Sequence, residues 1–294
     1  MPDRYLIGLI GADIGTSASP ALHEHEADRL GLRYQYRLLD LEVLGRPAGE
    51  ILAAARLAGY DGLNITHPAK QLVLGQLDAL SPDAAALGAV NTVVFRGGRA
   101  IGHNTDLPGF ARSLSVGLPD AALDRVVLLG AGGAGAAVAH ALLSLGAGTV
   151  TIFDTAPQRA ETLADSLSVH FGPNRAGAGR LDDGGATLAG AVHAADGLAH
   201  ATPTGMRGHP GLPLPADLLR PGLWVTDVVY RPLDTALVRA ARARGCRVLD
   251  GGPMVVYQAA AAFQLFTGVA PDVDRMLRHF DAIMPERRET HAHR

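Results

Sequence analysis

Lysine is nearly missing from this chain. Of its 26 Lys plus Arg, one is a lysine, Lys70. Cysteine also occurs once, as Cys246, which excludes an internal disulfide and a cysteine-based metal cluster. That residue follows Gly245 and opens a short strand, so it reads as a small buried apolar side chain. No stretch of the chain reads as a membrane span. The opening Met-Pro-Asp-Arg does not read as a signal peptide. The net charge is −3 and no basic run is present, so there is no electrostatic footprint for nucleic acid. These absences leave the expectation of a cytoplasmic protein with neither nucleic acid nor membrane as partner; a small-molecule partner and a monomer or homodimer are expected beside it. The 294 residues, 48% of them hydrophobic, suffice for one large core or two ordinary ones.

In a chain that carries its positive charge on arginine, a single lysine has a reason to be there. Guanidinium stays protonated in proteins, whereas an ammonium can give up its proton once desolvated or placed near other charges. Lys70 is therefore the cation able to act as a general acid or base. It ends the stretch Gly62-Leu-Asn-Ile-Thr-His-Pro-Ala-Lys70, in which the polar Asn64, Thr66 and His67 follow an apolar strand. Pro68 then opens a helix predicted to run to about Leu80. Open α/β sheets bind ligands at the carboxyl ends of their strands, which makes Lys70 the candidate catalytic residue.

Strands and helices alternate along the chain, the pattern of a mostly parallel sheet covered on both faces. In the first part, strands are predicted at Leu6–Ile10, Tyr34–Leu39 and Leu63–Ile65, with helices from Pro20 to about Leu30 and at Ala48–Leu57. Ala89–Phe95 and Arg99–Ile101 form a hairpin about Gly97-Gly98. The pattern restarts near Thr105-Asp-Leu-Pro-Gly109, with a linking helix at Leu107–Leu114. Further strands follow at Val126–Leu129, Thr149–Phe153, Gly197–Ala201, Trp224–Val228 and Arg247–Leu249, with a helix at Thr235–Arg244. Arg175–Gly190, rich in glycine, reads as a surface loop. Helices return at Met254–Phe266 and Val273–Ile283, the last stopped by Pro285, and the tail Glu289–Arg294 with His291 and His293 reads as frayed. The expected class is α/β in two domains: residues 1–106 completed by helices in 254–294, and an inserted dinucleotide-binding domain with a parallel sheet, 107–253.

Gly130, Gly132 and Gly135 match the G-x-G-x-x-G fingerprint between a strand and a helix. The first glycine allows a tight turn, the second a close approach of pyrophosphate, and the third close packing of helix on strand. The backbone of Gly133 and Ala134 opens that helix, whose free N–H groups and dipole favour anions. After the next strand stands Asp154, which could accept hydrogen bonds from a free ribose 2′-hydroxyl and would repel a 2′-phosphate. The plainer reading is a turn Asp before Thr155. Arg159 could still touch a phosphate, so NADP remains a weaker possibility beside NAD. Ser17 and Ser19 suit a carboxylate or a polyol, or else simply cap the helix at Pro20. Asp106 could hold the Lys70 ammonium in place. His23-Glu-His-Glu26 has neither the spacing nor the motif of a metal site and reads as a solvated helix face, and no metal is expected.

Seven ordered segments together resemble the shikimate dehydrogenase family over nearly the whole chain. They are Ser17-Ala-Ser-Pro20 with His23, Asn64-Ile-Thr-His-Pro-Ala-Lys70, Gly88-Ala-Val-Asn-Thr92, Gly102-His-Asn-Thr-Asp106, Ala201-Thr-Pro-Thr-Gly-Met206, Asp227-Val-Val-Tyr230, and Asp250-Gly-Gly-Pro-Met254 with Gln258. The resemblance implies interconversion of shikimate and 3-dehydroshikimate by hydride transfer with a nicotinamide, in a cleft beside an inserted nucleotide domain. It implies Lys70 and Asp106 as the catalytic pair, Ser17, Ser19 and Tyr230 at the substrate carboxylate, and Thr66, Asn91, Asp106 and Gln258 at the ring hydroxyls. It also implies that Thr202, Val228, Gly251 and Met254 join the glycine turn in holding the cofactor.

The departures from the family pattern matter as well. Where NADP-using members carry Asn-Arg-Thr, this chain has Asp154-Thr155-Ala156, which resembles the NAD-dependent quinate/shikimate branch. A histidine common before the first serine is Thr16 here, and an asparagine common before Ala-Thr-Pro is His200. Ser19 stands where quinate-using relatives often have threonine, which favours shikimate over quinate. Two alternatives stay open at this stage, a dehydrogenase of an aminoshikimate-like analogue and a nicotinamide-binding sensor without catalysis.

Overall fold

The protein is described from a computed structural model covering residues 4–181 and 184–284. Pro285 and the tail with His291 and His293 lie outside the described residues. The backbone divides into two compact units. One holds the described residues up to Gly109 and from Val256 onward, and the other is Phe110–Val255.

The first unit contains β1 (Arg4–Gly11), α1 (Ser19–Arg29), β2 (Arg33–Asp40), α2 (Leu41–Leu44), α3 (Ala48–Leu57), β3 (Gly62–Ile65), β4 (Ala79–Leu80), α4 (Pro82–Leu87), β5 (Thr92–Arg96) and β6 (Arg99–His103). Its six strands lie in the order β2-β1-β3-β5-β6-β4. The sheet is mixed: β1 runs parallel to β2 and β3, while β5 is antiparallel to both β3 and β6. The reason is local. Gly97 and Gly98 take φ of 59° and 75°, the left-handed pair that a two-residue hairpin turn needs, and a two-residue link can join only antiparallel strands. Alternation along β1 fills both faces. Ile7 and Leu9 pack with Tyr36, Val94 and Phe266, while Ile10 joins Leu52, Leu63 and Val93 on the other side.

The helix predicted from Pro68 to Leu80 does not form. Residues 67–73 are turns, followed by a single 3-10 turn at Leu74–Gln76 and the short strand β4. The Lys70 carbonyl, which an α-helix would offer to residue 74, instead accepts the Val90 amide at 2.9 Å. Nor is His23-Glu-His-Glu26 a solvated face. His23 and Glu26 are buried, the former among Tyr34, Tyr36, Phe263 and Phe266. The Glu26 carboxylate accepts two hydrogen bonds from the Arg275 guanidinium, at 2.7 and 2.8 Å. That pair ties α11 (Val273–Ile283) to α1, as an amphipathic last helix requires.

α5 (Asp106–Gly117) and α10 (Gly252–Thr267) each contain one of the points where the two units divide. Between them lie β7 (Arg125–Leu129), α6 (Gly133–Ser144), β8 (Thr149–Phe153), α7 (Pro157–Phe171), β9 (Ala176–Ala178), α8 (Ala186–Ala194), β10 (Gly197–His200), β11 (Trp224–Asp227), α9 (Ala236–Ala243) and β12 (Arg247–Leu249). The six strands are all parallel, in the order β12-β11-β10-β7-β8-β9. The chain reverses direction across the sheet between β7 and β10, the switch point at which such sheets bind nucleotides. β10 and β11 are buried along their whole length, as central parallel strands must be. The segment 175–190 is more than a loop: β9 pairs with β8, and α8 begins at Ala186. Cys246 lies just before β12 and is half-buried, its thiol donating to the Arg220 carbonyl at 3.3 Å and pushed up in pKa by burial. Among the described residues no helix is long and apolar enough to cross a membrane.

Candidate functional site

Lys70 and Asp106, 36 residues apart in sequence, meet at 2.5 Å between Nζ and Oδ2. Their side chains are 17% and 8% exposed, so the pair is screened from bulk water yet remains accessible at one side. The Lys70 backbone is pinned by Val90, and Asp106 stands in the first turn of α5, where the helix dipole favours a carboxylate. Asn104 accepts the amides of Asp106 and Leu107 at 3.0 and 3.2 Å and donates to the Ala89 carbonyl, so it caps the helix and anchors it to the sheet.

The second oxygen of Asp106 is also held. Asn91 Nδ2 donates to Asp106 Oδ1 at 2.9 Å and to Thr105 Oγ1 at 2.9 Å, while Asn91 Oδ1 accepts the Thr105 amide at 2.7 Å. Behind it, Asn64 donates to Thr92 Oγ1 and accepts from the Tyr36 hydroxyl at 2.8 Å. This buried web leaves the carboxylate one orientation, because every alternative would strand a polar atom away from water. Gly109, one turn after Asp106 on α5, has no room for a side chain. A Cβ there would sit 2.9 Å from the Gln258 backbone nitrogen on α10. That close approach sets Gln258 beside the face of α5 that carries Asp106.

Of the other expected substrate contacts, Thr66 follows β3, with its amide on the Ile10 carbonyl at 2.8 Å. Ser19 is the first residue of α1 and Ser17 stands just before its N-cap, but neither caps it. The N-cap is Ala18, with no side-chain bond, and Ser17 Oγ accepts the Ser19 amide at 3.2 Å. Tyr230 belongs to the second unit, where Arg231 lies 5.9 Å from its ring centroid.

In the second unit the glycine turn has three separate geometries. Gly130 has φ of 103°, and a Cβ on it would meet the Ala201 carbonyl at 2.7 Å. Gly135 approaches the Gly130 carbonyl so closely that a Cβ would lie 2.0 Å from its oxygen. Gly132, at the N-cap of α6, faces open space. No side chain caps α6, and its first helical bond is from Ala136 to the Gly132 carbonyl, so the amides of Gly133, Ala134 and Gly135 form a bare N-terminus. A hollow at the middle glycine over such a terminus fits a pyrophosphate. Asp154 accepts the amides of Ala131 at 2.8 Å and Ala156 at 2.9 Å, which fixes its carboxylate beside the turn, while Arg159 is exposed on α7. A Cβ on Gly251 would meet the Val228 carbonyl at 2.7 Å, so those two backbones touch, and Met254 is buried.

Asn104 and Thr105 were not singled out in the sequence, nor was the link from His200 to the Asp227 and Thr202 side chains. Asn104 had a readable signal, an asparagine just ahead of a helix. The polar contacts of Asn64 and Thr92 cross between strands and had none.

A parallel sheet of dinucleotide-fold topology with this turn, in a chain that also carries a part-buried lysine–carboxylate pair, has the parts that an NAD(P)-dependent dehydrogenase needs. Residues 9–93 match the shikimate dehydrogenase substrate binding domain, and residues 253–279 the shikimate 5′-dehydrogenase C-terminal domain. The chain is 63% identical over 278 residues to a shikimate dehydrogenase (NADP(+)) of Streptomyces avermitilis, covering 94% of each. It is 49% identical over 282 residues to a quinate/shikimate dehydrogenase (NAD(+)) of Corynebacterium efficiens, covering 95% of this chain and 98% of that one. Its fold superposes with a TM-score of 0.86 on the quinate dehydrogenase of Corynebacterium glutamicum in complex with NAD, at 44% identity over 95% of this chain and 99% of that one. The chain belongs to the shikimate dehydrogenase family.

Proposed function

We propose that the protein interconverts shikimate and 3-dehydroshikimate, with NAD preferred over NADP and quinate as a lesser substrate. The observation that carries the reading is the Lys70–Asp106 contact. A nicotinamide, when bound, would supply the hydride acceptor or donor at the reacting carbon. Lys70 Nζ takes the proton from the hydroxyl being oxidised, or returns it to the carbonyl oxygen being reduced. Asp106 aims that ammonium through Oδ2, and Asn91 keeps Asp106 from rotating through Oδ1. In this reading Thr66, Asn91, Asp106 and Gln258 bind ring hydroxyls, and Ser17, Ser19 and Tyr230 bind the carboxylate. The first unit is then the substrate domain, and the second holds the cofactor through Gly130–Gly135, Thr202, Val228, Gly251 and Met254.

The NAD preference rests on Asp154, whose fixed carboxylate would accept a ribose 2′-hydroxyl and repel a phosphate there. The Streptomyces avermitilis relative is named for NADP(+), so the preference is a claim about this chain's own residues. The test is initial rates with shikimate and with quinate, each with NAD and with NADP. We expect kcat/KM for NAD to exceed that for NADP by at least about tenfold, the ratio given by about 1.4 kcal/mol of repulsion. An NADP preference would remove Asp154 as the discriminator. Quinate turned over as fast as shikimate would defeat the reading of Ser19, and no activity with either would defeat the substrate assignment.

A further inference from the structure

The end of β10 carries a buried polar chain that the proton transfer at Lys70 does not use. His200 is fully buried, and both ring nitrogens are engaged, Nδ1 with Asp227 Oδ1 at 2.9 Å and Nε2 with Thr202 Oγ1 at 2.5 Å. An ionised carboxylate can only accept, so the Nδ1 proton points to Asp227. In a neutral ring Nε2 is then the acceptor, so the Thr202 hydroxyl, which itself accepts the Thr204 amide at 3.2 Å, donates to it. Asp227 is fixed in turn. It accepts the Val229 amide at 3.0 Å and the Thr235 hydroxyl at 2.7 Å, and Thr235 caps α9 through the Val238 amide at 3.1 Å. The His200 carbonyl accepts the Val228 amide at 3.0 Å. One imidazole therefore joins the loop after β10, which carries Thr202, to the loop after β11, which carries Val228.

We infer that His200 is a positioning residue of the dinucleotide site, fixing the Thr202 hydroxyl and holding the Thr202 and Val228 loops in register. The inference rests on the proposed function, in which Thr202 and Val228 touch the cofactor. The backbone contact between the two loops would survive a substitution at His200, but the side-chain strut would not. Removing the ring would free the Thr202 hydroxyl to rotate and leave Asp227 with an unfilled acceptor in a dry site. The binding cost of a disordered contact is then met each time the cofactor enters.

The test uses the full-length protein, titrated with NADH and separately with NADPH by fluorescence, for wild type, His200→Ala, His200→Asn, Thr202→Val and the His200→Ala/Thr202→Val double variant. We expect His200→Ala to weaken NADH roughly tenfold, the loss of about one well-placed hydrogen bond. His200→Asn, which keeps a donor and an acceptor, should recover most of that loss. Thr202→Val, which removes the hydroxyl itself, should weaken NADH at least as much as His200→Ala, and the double variant should fall short of the sum of the two, because both changes share the loss of one contact. KM for the cofactor should rise while kcat at saturating cofactor stays within about twofold. The downfield imidazole N–H resonance of the His200–Asp227 bond should be present in wild type, absent in His200→Asn, and shifted by NADH. A folded His200→Ala that binds NADH as wild type does, or additive effects in the double variant, would overturn the inference and leave the dehydrogenase reading intact. If His200→Ala does not fold, Thr202→Val decides, and unchanged NADH affinity in it overturns the inference. A wild type that binds neither NADH nor NADPH would instead bring down the proposed function and this role with it.

Discussion

The two candidate centres are built from opposite materials. In the first unit the candidate chemistry rests on side chains: Lys70, Asp106, Asn91 and Asn64 are locked in a hydrogen-bonded web. In the second unit the glycine turn works through what is missing. Gly132 offers a hollow and Gly130 a left-handed turn, and Gly135 lets a helix touch a strand end, so that backbone amides are left open to a ligand. A reacting atom needs a group of defined pKa and direction, whereas a pyrophosphate needs only an approachable row of N–H groups. The two centres should therefore fail differently when altered.

The largest effect is expected at Lys70. Lys70→Ala should lower kcat by roughly a thousandfold, within the range of a lost general acid–base group, with NADH affinity unchanged. Lys70→Arg is the sharper variant, since it keeps the charge and the contact to Asp106 while removing a readily transferable proton. It should remain at least about a hundredfold below wild type in kcat. If it turned over normally, the lysine would be a charge rather than a proton carrier, and the contrast between the two units would narrow to electrostatics.

Substitutions in the glycine turn should instead act on binding and folding. Gly132→Ala adds a methyl where nothing stands within 4 Å, so the fold should keep its melting temperature while NADH affinity falls roughly tenfold by loss of close approach. Gly135→Ala drives a methyl to 2.0 Å from the Gly130 carbonyl oxygen, so that chain should lose stability before binding is even asked. Melting curves and NADH titrations of the two variants separate these outcomes. Equal stability in both would mean that the turn relaxes freely and that its geometry is not the cradle described here.

How much of this could be read beforehand follows the same division. The glycine turn was legible because its logic is local: strand, three spaced glycines, helix. Lys70 was legible through its rarity, but its partner was not fixed by spacing, because the contact crosses 36 residues and depends on the β5–β6 hairpin and the Asn104 cap. The helix expected after Pro68 failed for a non-local reason, the capture of the Lys70 carbonyl by Val90. Residues 176–178 looked like loop because their small side chains give no strand pattern. They become β9 only by pairing with β8, and that is tertiary context overriding composition. His200 was visible as a departure from the family pattern, yet nothing in the sequence joined it to Asp227 and Thr202.

Not every buried polar group in the first unit serves chemistry, and His23 tests where that line falls. It lies among four aromatic rings with Nδ1 2.9 Å from the Tyr34 hydroxyl, and burial lowers its pKa to about 3. In the unfolded chain a histidine titrates near 6.5. Between those values the unfolded state binds a proton that the folded state refuses. The His23 contribution is therefore fully present above about pH 6.5 and is lost as pH falls toward 3, at up to about 1.4 kcal/mol per pH unit. His23→Gln keeps a polar side chain but cannot titrate, so it should be less stable than wild type at pH 7. The gap should close by about 2 kcal/mol on going to pH 5, in urea unfolding of both proteins at each pH. Taking the difference cancels the titration of all other groups. A gap that stayed constant would mean that His23 takes up its proton within the fold, and that the ring cluster around it is polar enough to be counted with the web at Asp106.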